Sequence, residues 1–140
     1  MNGKTILAVI LGTVANFLLG FLIYGVLLMD FMQAHTTEYE GLMKNGSGMM
    51  IGYALGSLLF SILLTYVINR ANARSARGGL TIAAVISFLY AASLNCMFYF
   101  GMNLYSGTYL LVDIVAHTVM GAGTGLVIGA VLSRKKESAA

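Results

Sequence analysis

The sequence contains no proline, no tryptophan and a single cysteine among its 140 residues. Without proline, no helix has an obvious site for a sharp kink. One thiol, Cys96, excludes an intramolecular disulfide, a CxxC redox pair and a cysteine zinc site, and we expect it to be a small packing residue. No signature of a serine hydrolase, a zinc protease or a nucleotide-binding loop is present. The sequence therefore predicts neither an enzyme nor a bound cofactor or metal.

Charged side chains are scarce as well. They make up 9% of the residues, against about 25% in soluble domains, whereas hydrophobic residues make up 59%. Four apolar runs are long enough for the roughly 20 helical residues that a bilayer core requires. These runs are residues 5–29, 49–69, 80–102 and 109–132. We predict one all-α membrane domain over residues 1–140, a compact bundle of four transmembrane helices in the lipid bilayer.

The basic residues predict how the spans are threaded. Seven of the eight fall on one side of the predicted membrane: Lys4, Arg70, Arg74, Arg77, Arg134, Lys135 and Lys136. Lys44 alone falls on the other side. The positive-inside rule then puts both termini, including the tail 133–140, in the cytoplasm. The same placement explains the net charge of +3 through topology and anionic lipid, without a nucleic acid partner.

Two parts of the chain resemble each other. The segment Thr5–Ile10 (TILAVI) aligns with Thr81–Ile86 (TIAAVI), and at the same offset Tyr24 and Gly25 meet Phe100 and Gly101. These matches predict helices paired one with two and three with four. They leave open whether the two hairpins are related by an axis along the membrane normal.

Glycines recur every four residues in three of the spans. Small residues at this spacing let helix backbones approach closely in lipid, where packing drives association. We expect helix packing at Gly12, Gly20, Gly52, Gly56, Gly121, Gly125 and Gly129. Asn16 lies between the first two of these glycines, and we expect it to form a hydrogen bond between helices.

The polar residues that predict a ligand site cluster in the outer half of the spans. They are His117, Asp113, Asn95, Tyr99 and Tyr53. Asp113 and His117 are four residues apart, so one helix face carries both. Ionisable groups inside a bilayer are costly and by default indicate function. A structural reading remains open, in which the helix N-terminus stabilises the carboxylate and the histidine simply bonds to it.

A second cluster lies in the polar connection between the first two spans. His35 and Glu38 are three residues apart, which weakly suggests a metal site if they share a helix face. A solvated, partly amphipathic loop helix is the alternative.

The end of the first span (GFLIYG), the polar connection after it and the Gly-rich last span with its aspartate resemble a known family. It comprises small bacterial four-helix membrane proteins and is catalogued only as a domain of unknown function. The resemblance implies a bacterial inner-membrane protein and supplies no activity.

Two classes of function remain open from the sequence. The first is transport or ligand binding through an outward-facing polar pocket. The second is a structural or assembly subunit that uses its glycine-rich helix faces. Four spans are few for a transporter acting alone, so both classes predict a homo-oligomer or a membrane partner protein.

Overall fold

The computed structural model of the protein describes residues 3–42 and 47–133. Five α-helices and one π-helical segment follow in chain order. They are α1 (Gly3–Leu22), the π-helix (Ile23–Leu27), α2 (Met29–His35), α3 (Ser47–Arg70), α4 (Ala76–Gly101) and α5 (Gly107–Ser133). The prediction of an all-α protein is confirmed. The predicted tail beyond residue 133 and Lys44 lie outside the described residues.

Four helices are long and apolar enough to cross a membrane. They are Gly3–Leu27, Ser47–Arg70, Ala76–Gly101 and Gly107–Ser133, with mean hydropathies between 1.7 and 2.5. Large apolar side chains cover their outer faces, as at Phe100, which is 82% exposed. Such a surface suits lipid and not water. The four long helices therefore suggest a multi-pass membrane protein.

α4 begins four residues earlier than the apolar run predicts. The Ser75 hydroxyl accepts a hydrogen bond from the backbone N–H of Gly78 at 3.0 Å, which caps the helix. The helix therefore includes Gly79, which the sequence assigned to a loop. α5 is capped in the same way by Ser106, whose hydroxyl accepts from the N–H of Tyr109 at 3.2 Å.

α5 lies at the centre of the bundle. α1 runs antiparallel to it, with Gly12 near Ile128 at one end and Tyr24 bonded to Asp113 at the other. α4 packs along another face of α5, and α3 packs mainly against α1. α4 thus packs against α5 as predicted, whereas α1 packs against both α3 and α5, and most extensively against α5. A symmetry axis between the two hairpins stays a prediction.

The two ends of the bundle differ in character. One end, here called the basic end, carries Lys4 and the α3–α4 connection with Arg70, Arg74 and Arg77. The interior of the bundle at this end is filled by a cluster of buried apolar residues: Ala8, Leu64, Ile68, Ala83, Ile128, Val131 and Leu132. Asn72 turns the chain there with a φ of 52°, a left-handed conformation that asparagine tolerates.

The opposite end, here called the capped end, is covered by α2 and the extended chain after it. The backbone N–H of Thr37 donates to the carbonyl of Leu104 at 2.7 Å, and that of Ser106 donates to the carbonyl of His35 at 3.0 Å. The Tyr39 hydroxyl donates to the carbonyl of Asn103 at 2.8 Å. These bonds hold the first polar connection onto the α4–α5 turn.

The closest helix contact is between α4 and α5. Small residues face each other along it at four-residue spacing: Gly79, Ala83 and Ser87 on α4, and Gly121, Gly125 and Gly129 on α5. A Cβ atom added to Gly79 would lie 2.8 Å from the Cα of Gly129, and one added to Gly125 would lie 3.0 Å from the carbonyl carbon of Gly79. At Gly79, Gly125 and Gly129 the facing backbone leaves no room for a side chain, so glycine is required at these three positions.

The other four glycines for which helix packing was predicted divide into two groups. Gly12 approaches the Ile128 side chain and Gly20 approaches the Met120 sulfur, both between α1 and α5. A Cβ added to Gly52 or Gly56 would meet nothing within 4 Å. Contrary to expectation, these two glycines do not pack against another helix of the described chain, since burial in α3 begins only at Ser57. Their contact with another subunit stays a prediction.

Candidate functional site

The site is built around the carboxylate of Asp113. This residue is the only Asp or Glu within the four long helices. Its Oδ1 atom accepts a hydrogen bond from the Tyr24 hydroxyl at 2.9 Å, and its Oδ2 atom accepts one from the Asn95 amide at 2.6 Å. The Lys and Arg residues that the structure describes all belong to the basic end. The carboxylate is therefore held by two neutral donors.

Tyr24 reaches Asp113 from the π-helical segment. The backbone N–H of Leu28 bonds to the carbonyl of Ile23 at 2.8 Å, five residues back, and one extra residue is thereby accommodated in the turn. Such segments are rare and are frequently found at functional sites. The lack of proline predicted helices without an obvious kink site. The first span is nevertheless irregular here, through backbone hydrogen bonding that composition does not report.

His117 joins the cluster through Tyr24. Its Nδ1 atom lies 3.5 Å from the Tyr24 hydroxyl oxygen. Its ring is 6.2 Å from that of Phe60 and 6.0 Å from that of Tyr90, centroid to centroid. The four-residue spacing predicts that Asp113 and His117 share a helix face. Both belong to the cluster, but the hydrogen bonds connect each of them to Tyr24.

Asn95 connects the cluster to the capped end. It is 5% exposed, and its amide also donates to the carbonyl of Ala91 at 3.0 Å. Its own backbone carbonyl accepts from the Tyr105 hydroxyl at 3.3 Å. Partial burial, with the nearby Asp113 charge, raises the pKa of Tyr105 above its usual value of 10. Tyr105 therefore remains a neutral donor near pH 7.

Two of the five predicted site residues lie outside the cluster. Tyr53 is 57% exposed on α3. Tyr99 is 39% exposed, and its ring packs edge-on against Phe100 at 5.2 Å. The structure brings together Asp113, His117 and Asn95, and it adds Tyr24, which the predicted site did not include. The sequence feature that could have indicated Tyr24 is its position as a polar side chain near the outer end of an otherwise apolar span.

A second, fully internal polar group lies nearer the middle of the bundle. The Asn16 amide donates to the Ser57 hydroxyl at 3.1 Å, and the Thr124 hydroxyl donates to the Asn16 side-chain oxygen at 3.1 Å. The prediction that Asn16 bonds between helices is confirmed. One side chain thus ties α1 to both α3 and α5.

We predict that Asn16→Ala lowers the melting temperature, because Ser57 and Thr124 lose their partner inside an apolar bundle. Hydrogen bonds between membrane helices contribute roughly 1 kcal/mol. Thermal unfolding in detergent measures the loss, with Val14→Ala on the exposed face of the same helix as the control. Equal melting temperatures for both variants would contradict the prediction.

An open cleft of roughly 400 Å³ lies at the capped end. It is lined by Ala34, His35, Thr36, Thr37, Asn103, Tyr105 and Ser106. His35 is the last residue of α2, its Nδ1 atom lies 2.8 Å from the Phe31 carbonyl oxygen, and Thr36 is extended. His35 and Glu38 therefore do not share a helix face, and the weak metal-site suggestion is wrong.

Comparison with known families identifies the chain. The profile of the family described as "Protein of unknown function (DUF1761)" matches residues 7–129. The chain belongs to this family. No curated protein and no solved structure matches it. The expected resemblance to a domain of unknown function is confirmed.

The DUF1761 match extends from α1 into α5 and includes every residue of the Asp113 cluster. Membership supplies no activity, so a functional argument for this DUF1761 protein depends on the site itself.

Proposed function

We propose that the protein binds or transports a small polar solute or ion through an outward-facing polar pocket next to Asp113 and His117. The observation that carries this proposal is a carboxylate within a membrane-length helix that is held by a tyrosine and an asparagine. Charged groups at membrane depth are costly and mark ligand or ion pathways. Helix association alone needs no charge, because the glycine contact between α4 and α5 already supplies close packing.

We further propose a bacterial inner membrane and an outward-facing pocket. The described basic residues lie at the end opposite the Asp113 cluster, and the positive-inside rule favours the cytoplasm for that end. The capped end would then face outward, with the open cleft above the cluster. Both termini would be cytoplasmic.

Impermeant thiol labelling tests the orientation. In a Cys96→Ser background, we predict that Thr37→Cys is labelled in intact cells and that Ser75→Cys is labelled only after lysis. Both positions are exposed, so the contrast reports the side of the membrane and not burial. The reverse pattern would overturn the threading.

Water access tests the pocket. In the same background, we predict that His117→Cys reacts with a small hydrophilic thiol reagent at least about tenfold faster than Val119→Cys. Val119 lies two residues away and is 56% exposed on the lipid-facing side, where a thiol finds no water to ionise it. If position 117 does not react and Asp113→Asn gives little folded protein, Asp113 and His117 stabilise the fold and do not line a pocket.

A structural or assembly subunit is the second candidate, and one observation favours it. Residues 47–56 of α3 are exposed on every side, and open space surrounds Gly52 and Gly56. The small residues at Gly52 and Gly56 leave a groove on this face, and the same face of a second copy would fit against it in a homo-oligomer. If this face joins two copies, Gly52→Leu should lower the mass of the purified detergent complex by whole subunits.

A further inference from the structure

We propose that Tyr24 relays protons between His117 and Asp113, and that the species exchanged at this site is the proton. This rests on the proposed function of the pocket and names the ion that it handles. The sequence predicted Asp113 and His117 on one face. It did not predict that a tyrosine from another helix would bridge them.

The geometry defines the transfer. Tyr24 donates its hydroxyl hydrogen to Oδ1 of Asp113 at 2.9 Å, so its oxygen lone pairs remain free to accept. The nearest candidate donor is Nδ1 of His117 at 3.5 Å, a long hydrogen bond of the kind that shortens when a site is occupied. The relay therefore requires a hydrogen on Nδ1 of His117.

The step balances without another reactant. A protonated His117 passes its Nδ1 proton to the Tyr24 oxygen while the Tyr24 hydroxyl hydrogen passes to Oδ1 of Asp113. The phenol is restored, the imidazole becomes neutral and the carboxylate becomes a neutral acid. The reverse transfer uses the same two bonds.

The filled surroundings favour a proton over a larger cation. Both carboxylate oxygens already hold donors, at 2.9 and 2.6 Å. The rings of Phe60 and Tyr90 lie within about 6 Å of the His117 ring. A metal or ammonium ion would have to displace one of these groups, whereas a proton adds no volume.

The titratable groups around the carboxylate are few. Tyr24 approaches from the π-helix, Tyr90 from α4, and His117 and Tyr109 from α5, with Tyr105 above them. α3 contributes Phe60, which does not titrate, and Tyr53, which lies close enough to Tyr109 to interact with it electrostatically. Among these groups only His117 is able to provide a positive charge. The Asn95–Tyr105 bond then links the cluster to the cleft, because Tyr105 also lines that cleft.

Nuclear magnetic resonance tests the relay directly in detergent-solubilised protein. The chain contains two histidines, so His35→Ala leaves His117 as the only imidazole. Titrating ¹⁵N-histidine and ¹³C-labelled aspartate together follows both partners, with Asp113→Asn identifying the carboxyl signal. We expect the two groups to share two titration steps, as strongly coupled sites do.

Tyr24→Phe should weaken the coupling between the two curves and move the His117 midpoint, because only the direct charge interaction between Asp113 and His117 then remains. Tyr66→Phe is the matched control, since Tyr66 is 60% exposed on α3 and outside the cluster, and it should change nothing. If Tyr24→Phe does not fold, Tyr24→Leu serves instead, because it also lacks the hydroxyl and should change both curves in the same way.

Unchanged curves in Tyr24→Phe, or in Tyr24→Leu where that variant is used, would overturn the relay. Signals that respond to sodium or potassium at constant pH would instead identify an alkali cation. The thiol labelling of His117→Cys tests the proposed pocket independently of this titration. Water access without coupling removes only the relay, whereas a dry position 117 removes the proposed pocket.

Discussion

Gly125→Leu is expected to separate α4 from α5. A Cβ atom at this position would overlap the Ala83 side chain and lie 3.0 Å from the Gly79 carbonyl carbon, so backbone atoms themselves would have to move. Overpacking typically costs about 1–3 kcal/mol, and a rigid backbone contact belongs at or above the upper end. Thermal unfolding and size-exclusion chromatography in mild detergent measure the loss. Gly125→Ala should give a smaller drop in the same direction.

Gly56→Leu is the matched control for this substitution. It places the same side chain in a helix interior where an added Cβ meets nothing within 4 Å. It should leave the melting of the bundle unchanged. A wild-type melting temperature for Gly125→Leu would mean that α4 and α5 are not in close contact at Gly125.

Asn95→Leu is expected to be the most damaging change within the polar cluster. It removes the 2.6 Å donor to Asp113 and leaves the Oδ2 atom unpaired in an apolar setting. An unsatisfied buried partner costs about 1–3 kcal/mol, and more when it is charged. We predict a clear fall in melting temperature and in folded yield, measured at neutral pH.

Ser93→Leu is the control for that prediction, because Ser93 lies on the exposed side of α4 two residues away. It should melt like the wild type. In an Asp113→Asn background the cost of Asn95→Leu should shrink, since the charge that needs the donor is gone. An additive double mutant would show that Asn95 acts independently of the carboxylate.

The two polar groups differ in what they require of the bundle. The Asn16, Ser57 and Thr124 group is neutral and ties three helices together, as a purely structural network would. The Asp113 group contains an ionisable carboxylate and an imidazole, on which the proposed function depends. The Ser61 and Thr65 hydroxyls, also buried, have no hydrogen-bond partner among the residues that the structure describes. They extend the polar face of α3 toward the basic end, where the apolar cluster closes it.

Residue patterns predicted part of the site and missed the rest for identifiable reasons. Asp113 and His117 were recognisable because ionisable groups stand out in an apolar run. Tyr24 was missed because the direction of its side chain depends on a π-helical turn. That turn follows from backbone hydrogen bonding and not from residue type. Similar depth along a span does not determine which way a side chain points, and Tyr53 is 57% exposed on α3.

The sequence by itself determined the all-α class, four membrane-length helices and the gathering of basic residues at one end. These follow from local properties, since run length, hydropathy and charge need no knowledge of neighbouring helices. Only the tertiary structure decided that Gly79 faces Gly125 and Gly129, that Gly52 and Gly56 stay uncovered, and that Tyr24 bridges Asp113 and His117. In lipid every helix face is apolar, so hydropathy does not distinguish packed faces from free ones, and close packing and hydrogen bonds select the contacts.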